Sequence, residues 1–334
     1  MPHTLFPACE VRFPEGLGSR RATFYLAAEE YVAQTLDTGS YLFSWIVPPT
    51  VVMGRNQLAH QEFDLDYCAA EGIDVVRRKS GGGAVFADDS NIMWSVVTGS
   101  GDVETLFRAY AQAVAASLSE IGVTAQATGR NDIVLQNGQK ICGNAFYHLA
   151  GHNIVHGTML YDTNLEAMQR ALRPDPEKLK AKGVQSVRRR VGFIKDFFSG
   201  SIYDLRQQLT ALLTDRCVLL SHNDIKAITH IEQSYREEAF LFGHIKSSDE
   251  CLRTHIDGCG TIELRFLLRG SLVEDVNLSG DFFELRDAAA AFTKAFKGTP
   301  FTKEQLMARA KQYSLHETLR GLSQDTLLEW LASI

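Results

Sequence analysis

The sequence predicts an α+β protein: a mixed β-sheet flanked by helices, followed by a small C-terminal α+β module. Three observations carry this reading. Strand-like runs occur in consecutive groups between amphipathic helical stretches rather than in regular alternation with them. Asn137-Gly138, the strongest short hairpin signal available, separates two of the runs and requires an antiparallel pair. A polar tract at 244–250 reads as a linker, and beyond it strands and helices start afresh. The 334 residues suit two domains, taken as 1–245 and 250–334, and can bury about three quarters of the unfolded surface without disulfide or metal.

Taken in order, residues 22–37 have Phe24, Ala27, Tyr31 and Leu36 near one face and a stop at Gly39, which predicts an amphipathic helix. Strands follow at 41–47 and 50–53, separated by Pro48-Pro49. Residues 64–71 read as a helix, and 73–79 as a strand running into Ser80-Gly81-Gly82-Gly83. Further strands are expected at 84–86 and 92–97, the second apolar enough to be central. Residues 103–121 form a long helix with Leu106, Tyr110, Val114 and Leu118 on one stripe. The hairpin arms are 131–136 and 140–147, followed by a strand at 154–161 and a helix at 164–172 that stops at Arg173-Pro174. A basic segment precedes a helix at 202–213. After the linker, 251–255, 260–268 and 270–277 form a meander, and helices at 287–297 and 303–334, the latter broken, close the chain.

Composition excludes several classes. Apolar residues make up 45% and charged residues 22%, which is neither disordered, coiled-coil nor collagen-like. No run approaches the ~18 apolar residues of a membrane span. Net charge is −6, unfavourable for general nucleic-acid binding. Yet residues 173–195 hold eight basic against two acidic side chains, so this segment carries +6 and the remainder −12. The six cysteines show no paired spacing and there is no secretory apolar run, so reduced thiols and a cytoplasmic location are expected. Glu10 and Glu15 count against a transit peptide.

Four constellations could carry chemistry. In Arg77-Arg78-Lys79-Ser80-Gly81-Gly82-Gly83-Ala84-Val85-Phe86, glycine N–H groups could converge on an anion, with Arg78 and Ser80 adding a planar cation and a hydroxyl. The alternative is a hairpin turn with basic neighbours. No Walker or Rossmann pattern follows. In Gly129-Arg130-Asn131-Asp132 and Lys140-Ile141-Cys142-Gly143-Asn144-Ala145, Lys140 stands at a fixed strand position beside Gly143, which gives it room. Taken alone it reads more readily as a solvated hairpin lysine, and Asp132 as a turn residue. Cys142 is either a thiol nucleophile or a small strand residue. His148, His152 and His156 are spaced by four, but Gly151 and the strand-forming Ile154-Val155 separate the rings, so no zinc site is expected, and no haem. His156 remains a ligand-facing hydrogen bonder. The run 178–191, with Lys182-Gly183 as a pivot and no interleaved aromatics, fits a lid over a polyanion better than a nucleic-acid patch.

Together, Arg-Arg-x-Ser-Gly-Gly-Gly-Ala-Val-Phe (77–86), Asn91, Gly-Arg-Asn-Asp (129–132), Lys140-x-x-Gly-x-Ala, His156-Gly-Thr and Lys182-Gly-x-x-Ser-Val-x-x-Arg-Val resemble the bacterial two-domain lipoate–protein ligases. The stretch 235–243 and the C-terminal module resemble that family's accessory domain. The resemblance implies the class II synthetase/biotin-ligase-like catalytic fold. It also implies ATP-dependent conversion of lipoate to lipoyl-AMP, then transfer to a lysine of lipoyl domains of 2-oxoacid dehydrogenase E2 subunits or of glycine-cleavage H-protein. Lys140 would be catalytic. Arg78, Ser80, Gly82, Gly83, Ala84, Val85, Phe86, Asn91, Asn131, Asp132, Lys182, Gly183, Ser186 and Val187 would bind ATP and the adenylate. Arg78, Gly82, Lys140 and His156 would bind lipoate, Asp132 would hold Mg²⁺, and the chain would act as a monomer without nucleic acid or membrane. The family's His-Asp-x-Gly-Asn is here Ala87-Asp88-Asp89-Ser90-Asn91, Cys142 replaces a usual Ser, and Arg189 a small residue. The alternative is a lipoyl or octanoyl transferase lacking the adenylation step. A biotin ligase would need a Gly-Arg-Gly-Arg loop, which the sequence lacks, and intact Lys140 argues against a non-catalytic carrier-binding protein.

Overall fold

The computed structural model describes residues 8–37, 39–128, 131–149, 151–173, 191–242 and 248–334. Among these residues the strands are β1 (Ala8–Arg12), β2 (Tyr41–Trp45), β3 (Thr50–Met53), β4 (Asp74–Arg77), β5 (Val85–Ala87), β6 (Asn91–Thr98), β7 (Ala125–Ala127), β8 (Asp132–Leu135), β9 (Lys140–Leu149), β10 (His152–Leu160), β11 (Thr214–Leu219), β12 (Glu250–Ile256), β13 (Gly260–Arg269) and β14 (Leu272–Gly280). Eight of them form one mixed sheet in the order β11-β1-β2-β6-β10-β9-β8-β7. The hairpin at Asn137-Gly138 joins β8 to β9, with Gly138 at φ +80°. A register shift between Ile133 and Val134 then sets Lys140 opposite Val134. β6 is buried at all eight positions, as its apolar run requires of a central strand.

Alternation along β6 feeds two cores. Ile92, Trp94 and Val96 pack with the helices Val103–Glu120 and Ile202–Leu213 on one face. Met93 and Val97 pack with the helices Ala22–Thr35 and His222–Tyr235 on the other. A smaller sheet, β4-β3-β5, lies apart and holds the glycine-rich loop between β4 and β5. The C-terminal strands form the expected meander β12-β13-β14, covered by the helices Ala288–Phe296, Lys303–Gln312 and Gln324–Leu331 over a core of their own.

Several elements depart from the sequence expectation. The Ala22–Thr35 helix is buried almost all round, including Glu29 and Glu30, because the sheet and the His222–Tyr235 helix enclose it. β1 and β11 were not expected. They are edge-side strands paired in parallel across two hundred residues, and β11 is mostly exposed, so no alternation marks it. The His222–Tyr235 helix was also missed, although Ser221 and Asp224 form a capping box and Ile225, Ile228, Glu232 and Tyr235 mark its buried face. Tyr235 belongs to the main core, where its hydroxyl bonds to Glu30, and not to the C-terminal module.

The module is tied to the main body by backbone and ion-pair contacts. Gly280 N–H donates to the Asn56 carbonyl at 2.8 Å, Gly82 N–H to the Phe282 carbonyl at 2.9 Å, and Arg320 Nε to Glu104 at 2.7 Å.

A Cβ on Gly138 would meet nothing within 4 Å, so only its positive φ opposes a side chain there. Gly138→Ala should therefore cost about 1 kcal/mol, read as a lower denaturation midpoint with an unchanged denaturant slope.

Candidate active site

The register places one row of side chains across five strands of the large sheet. Trp45 pairs with Met93, Met93 with Thr158, Thr158 with Gly143, and Gly143 with Asp132. Two residues along, on the same face, lies the row Phe43, Ser95, His156 and Ala145. The row passes from apolar to polar, and the glycine loop covers it. Between them lies a cavity of about 120 Å³ lined by Leu26, Trp45, Val52, Val85 and Met93 at the apolar side. Arg78, Gly82, Gly83, Ala84, His156 and Thr158 line its middle, and Asn131, Lys140, Gly143 and Asn144 the polar side.

Lys140 lies folded across Gly143, where a Cβ would fall 2.6 Å from Nζ. Nζ pairs with Asp132 Oδ1 at 2.7 Å, and the lysine side chain is 36% exposed, so it reaches the mouth of the slot. Asn131 and Asn144 clasp each other, each amide nitrogen donating to the other's carbonyl at 3.0 Å. Gly157 leaves the space for this clasp: a Cβ there would stand 2.0 Å from Asn144 Oδ1. Asn144 was not singled out from the sequence, although the strand period places it beside Gly143.

The basic run before the glycines works differently from the expectation of an anion patch. Arg77 donates to the carbonyls of Gly54, Arg55, Gln57 and Leu241. Lys79 pairs with Glu30 at 2.6 Å and lies over the Tyr235 ring. Arg78 donates to the carbonyls of Val52, Gly81 and Gly83 and to Ser80 Oγ. Burial pushes both guanidinium pKa values down to about 10, opposed at Arg78 by the charge of Glu29. The two arginines therefore brace backbone, and Arg78 shapes the loop while lining the cavity.

Ser80 is fully buried and links Arg78 to His156, whose Nε2 lies 2.7 Å from Ser80 Oγ. Ser80 Oγ accepts from Arg78 Nε and retains its proton and a second lone pair, so it can serve Nε2 as donor or acceptor. Nδ1 donates to Glu29, 3.0 Å away, a carboxylate that also accepts from Ser95 Oγ at 2.6 Å. Ser95 in turn accepts from Trp45 Nε1 at 2.9 Å. Glu29 was missed in the sequence, although a Glu-Glu pair within an apolar helical run is a signal of a buried polar site.

Other expected residues fall elsewhere. Phe86 turns into the core of the small sheet. Asn91 is fully buried off the cavity, with its side-chain oxygen accepting from Thr163 and its amide nitrogen unpartnered among the described residues. The departing tract 87–91 forms a turn in which Asp88 accepts from the N–H groups of Ser90 and Asn164. Gly129, Arg130, Lys182, Gly183, Ser186, Val187 and Arg189 lie outside the described residues. Gly82 N–H is engaged by the Phe282 carbonyl, and Phe283 of the C-terminal module closes one side of the cavity. Cys142 is fully buried, its Sγ donating to Asn144 Oδ1, and burial pushes the thiol up to about 12, which deprives a nucleophile of its thiolate. His148, His152 and His156 spread over β9 and β10, and no group of three or more potential metal ligands occurs among the described residues.

Known proteins resemble this chain over both of its parts. The profile of the lipoyl protein ligase A/B catalytic domain matches residues 21–214, and that of the bacterial lipoate protein ligase C-terminus matches 250–331. Lipoate–protein ligase 1 of Staphylococcus aureus is 30% identical over 320 residues, covering 93% of this chain and 96% of that protein. Among solved structures, a bi-partite lipoate protein ligase studied with its E2 lipoyl domain, from Thermoplasma acidophilum, has a TM-score of 0.62 at 27% identity, covering 73% of this chain and 100% of that one. Lipoate-protein ligase A bound with ATP has a TM-score of 0.60 at 26% identity, covering 72% and 100%.

Two outcomes test the site's geometry. Gly157→Ala should push Asn144 off Asn131 and destabilise the protein by about 1–3 kcal/mol, measured by thermal or denaturant unfolding. Iodoacetamide at about pH 8 should alkylate exposed Cys217 and Cys251 and spare Cys142. Peptide mass mapping reads this directly, and a labelled Cys142 would contradict the sealed thiol.

Proposed function

Because the chain belongs to the lipoate–protein ligase family, we propose that it activates lipoate with ATP and transfers the lipoyl group to a lysine of a lipoyl-bearing carrier protein. Lys140 supports this reading most directly. It is a compact cation held over Gly143 at the polar side of a slot whose other side is apolar. The apolar side suits the dithiolane and its alkyl chain. The polar side suits the carboxylate and the nucleotide.

In the first step a carboxylate oxygen attacks the α-phosphorus, the bond to the β-phosphate bridging oxygen breaks, and pyrophosphate leaves with that electron pair. Both reactants are anionic, so a fixed cation between them lowers their repulsion and favours the charge that builds in the transition state. In the second step the neutral amine of the acceptor lysine attacks the acyl carbon. The carbon–oxygen bond to AMP breaks, AMP leaves with the pair, and the amine loses a proton to solvent. Lys140 then faces the oxyanion. The Glu29–His156–Ser80–Arg78 chain holds the slot's middle, and the backbone at 83–86, past the Gly82 N–H that Phe282 engages, offers itself to the nucleotide. Asn91 acts by tying the end of the 87–91 turn to Thr163, and Asn131 by fixing Asn144 against the polar side.

Asp132, partly exposed at the polar side and paired with Lys140 at 2.7 Å, would be the carboxylate to hold a nucleotide-borne Mg²⁺, an ion that takes most of its ligands from phosphate oxygens and water. When bound, that ion would neutralise phosphate charge. We assign residues 1–245 to catalysis and 250–334 to an accessory role, with the protein acting as a cytoplasmic monomer. The family relative studied with an E2 lipoyl domain supports such a domain as acceptor, with H-protein as a further candidate. No helix among the described residues is long and apolar enough to cross a membrane. The transferase alternative draws on one observation, the engagement of Gly82 N–H by the Phe282 carbonyl, which takes that donor from a phosphate.

The chain incubated with lipoate, ATP and Mg²⁺ is expected to release pyrophosphate and to add a lipoyl group to a purified E2 lipoyl domain, read by mass. Lys140→Ala should lower the rate by at least about 100-fold. Modification from preformed lipoyl-AMP without any pyrophosphate release from ATP would select the transferase. A Lys140→Ala variant as fast as the parent would remove the role given to that lysine.

A further inference from the structure

One wall of the slot comes from outside the catalytic sheet. Phe282 and Phe283 are adjacent, yet Phe282 is buried in the C-terminal core and Phe283 in the core beneath the large sheet. Phe283 is 3% exposed and stacks on Phe146, with ring centroids 5.5 Å apart and planes at 12°. Its Cε1 and Cζ lie 2.9 Å from the point where Gly82 would carry a Cβ, and Arg78 Nη2 lies 3.2 Å from the same point. Ring and guanidinium thus meet across a single glycine, where only the absence of a side chain permits the approach. The backbone around the ring is held on both sides. The Phe282 carbonyl accepts from Gly82 N–H at 2.9 Å, and the Phe283 carbonyl accepts from Arg320 N–H at 2.9 Å. Arg320 is itself anchored to Glu104 of the main body.

We propose that Phe283 is a positioning residue of the activation site, an aromatic wall supplied by the C-terminal module that keeps water from the acyl-adenylate. This rests on the activation of lipoate proposed above. An acyl-adenylate is a mixed anhydride. Water adding to its acyl carbon breaks the carbon–oxygen bond to phosphate and returns lipoate and AMP, so one ATP is consumed without a product. A ring packed on Phe146 and the glycine loop offers no hydrogen-bond partner to such a water, and it holds the acyl chain's last carbons against Arg78's side of the slot. The sequence contains no local sign of this role, because Phe283 lies two hundred residues from the motif it completes.

The test uses the full chain as parent, Phe283→Ala, Phe283→Val and Phe283→Leu. Two quantities are measured: pyrophosphate released per lipoyl domain modified, and the lipoate dissociation constant by calorimetry without ATP. The parent should stay near one pyrophosphate per product. Phe283→Ala should release several-fold more and bind lipoate roughly tenfold more weakly, as expected for the loss of an aromatic contact. Phe283→Leu should return both values towards the parent, a rescue that general damage to the fold would not produce. Phe283→Ala with the parent's ratio and affinity overturns the proposal. If Phe283→Ala fails to fold, Phe283→Val carries the same test, and parent values in that variant overturn it equally. A parent that binds lipoate yet releases no pyrophosphate defeats the activation reading instead. The lipoate affinities of the variants then decide alone whether Phe283 seals the slot.

Discussion

The buried guanidinium of Arg78 is the constraint around which the rest of the site is arranged. A charge removed from water is costly unless its donors are used and an opposite charge lies near. Here the donors are used on carbonyls of Val52, Gly81 and Gly83 and on Ser80 Oγ. The nearby charge is Glu29, itself buried and reached through His156. One solution therefore determines the path of the glycine loop, the orientation of the His156 ring and the depth of the Ala22–Thr35 helix in the fold. Because the hydroxyls of Ser80 and Ser95 are already committed to these partners, none of these parts can shift without stranding one of them.

Much of this was legible in the sequence where the signal is local. The hairpin at Asn137-Gly138 fixes where Lys140 stands, and the helix and strand periods from residue 41 to 213 place most elements of the main body. At the glycine loop the sequence shows the residue types but not the partners that the fold gives them. Arg77 and Arg78 next to three glycines suggest an anion, whereas the fold presents them with carbonyl oxygens, which ask for the same planar donors. Nothing local distinguishes the two. Trp45 and Met93 escaped because their importance lies in cross-strand register, and β11 because an exposed edge strand has no alternation to read. Glu29 was missed although its signal is local, an acidic pair amid apolar helix residues.

Glycines in the site act as measured absences more than as flexible links. Gly143 gives Lys140 a surface to lie on, Gly157 admits the Asn144 amide, and Gly82 lets a module remote in sequence press an aromatic ring against the loop. Each space is filled by a particular neighbour. The result is a rigid polar side, in keeping with a reaction that asks two anions to meet in one geometry.

The row Trp45–Met93–Thr158–Gly143–Asp132 has a further consequence for selectivity. It crosses five strands, one residue from each, so distance along the slot advances in strand spacings of about 4.8 Å and totals roughly 19 Å. Width is measured on the other axis, by which residue along β6 or β10 faces inward, in steps of two residues. Length and girth of a bound chain are thus governed by different coordinates of the same sheet. Substitution at Trp45 would move the end stop by part of one strand spacing while Lys140 stands three strands away on β9. The Trp45 Nε1 bond to Ser95 nevertheless couples that adjustment to the Glu29–His156 chain, so chain length is retuned freely only where that donor is kept.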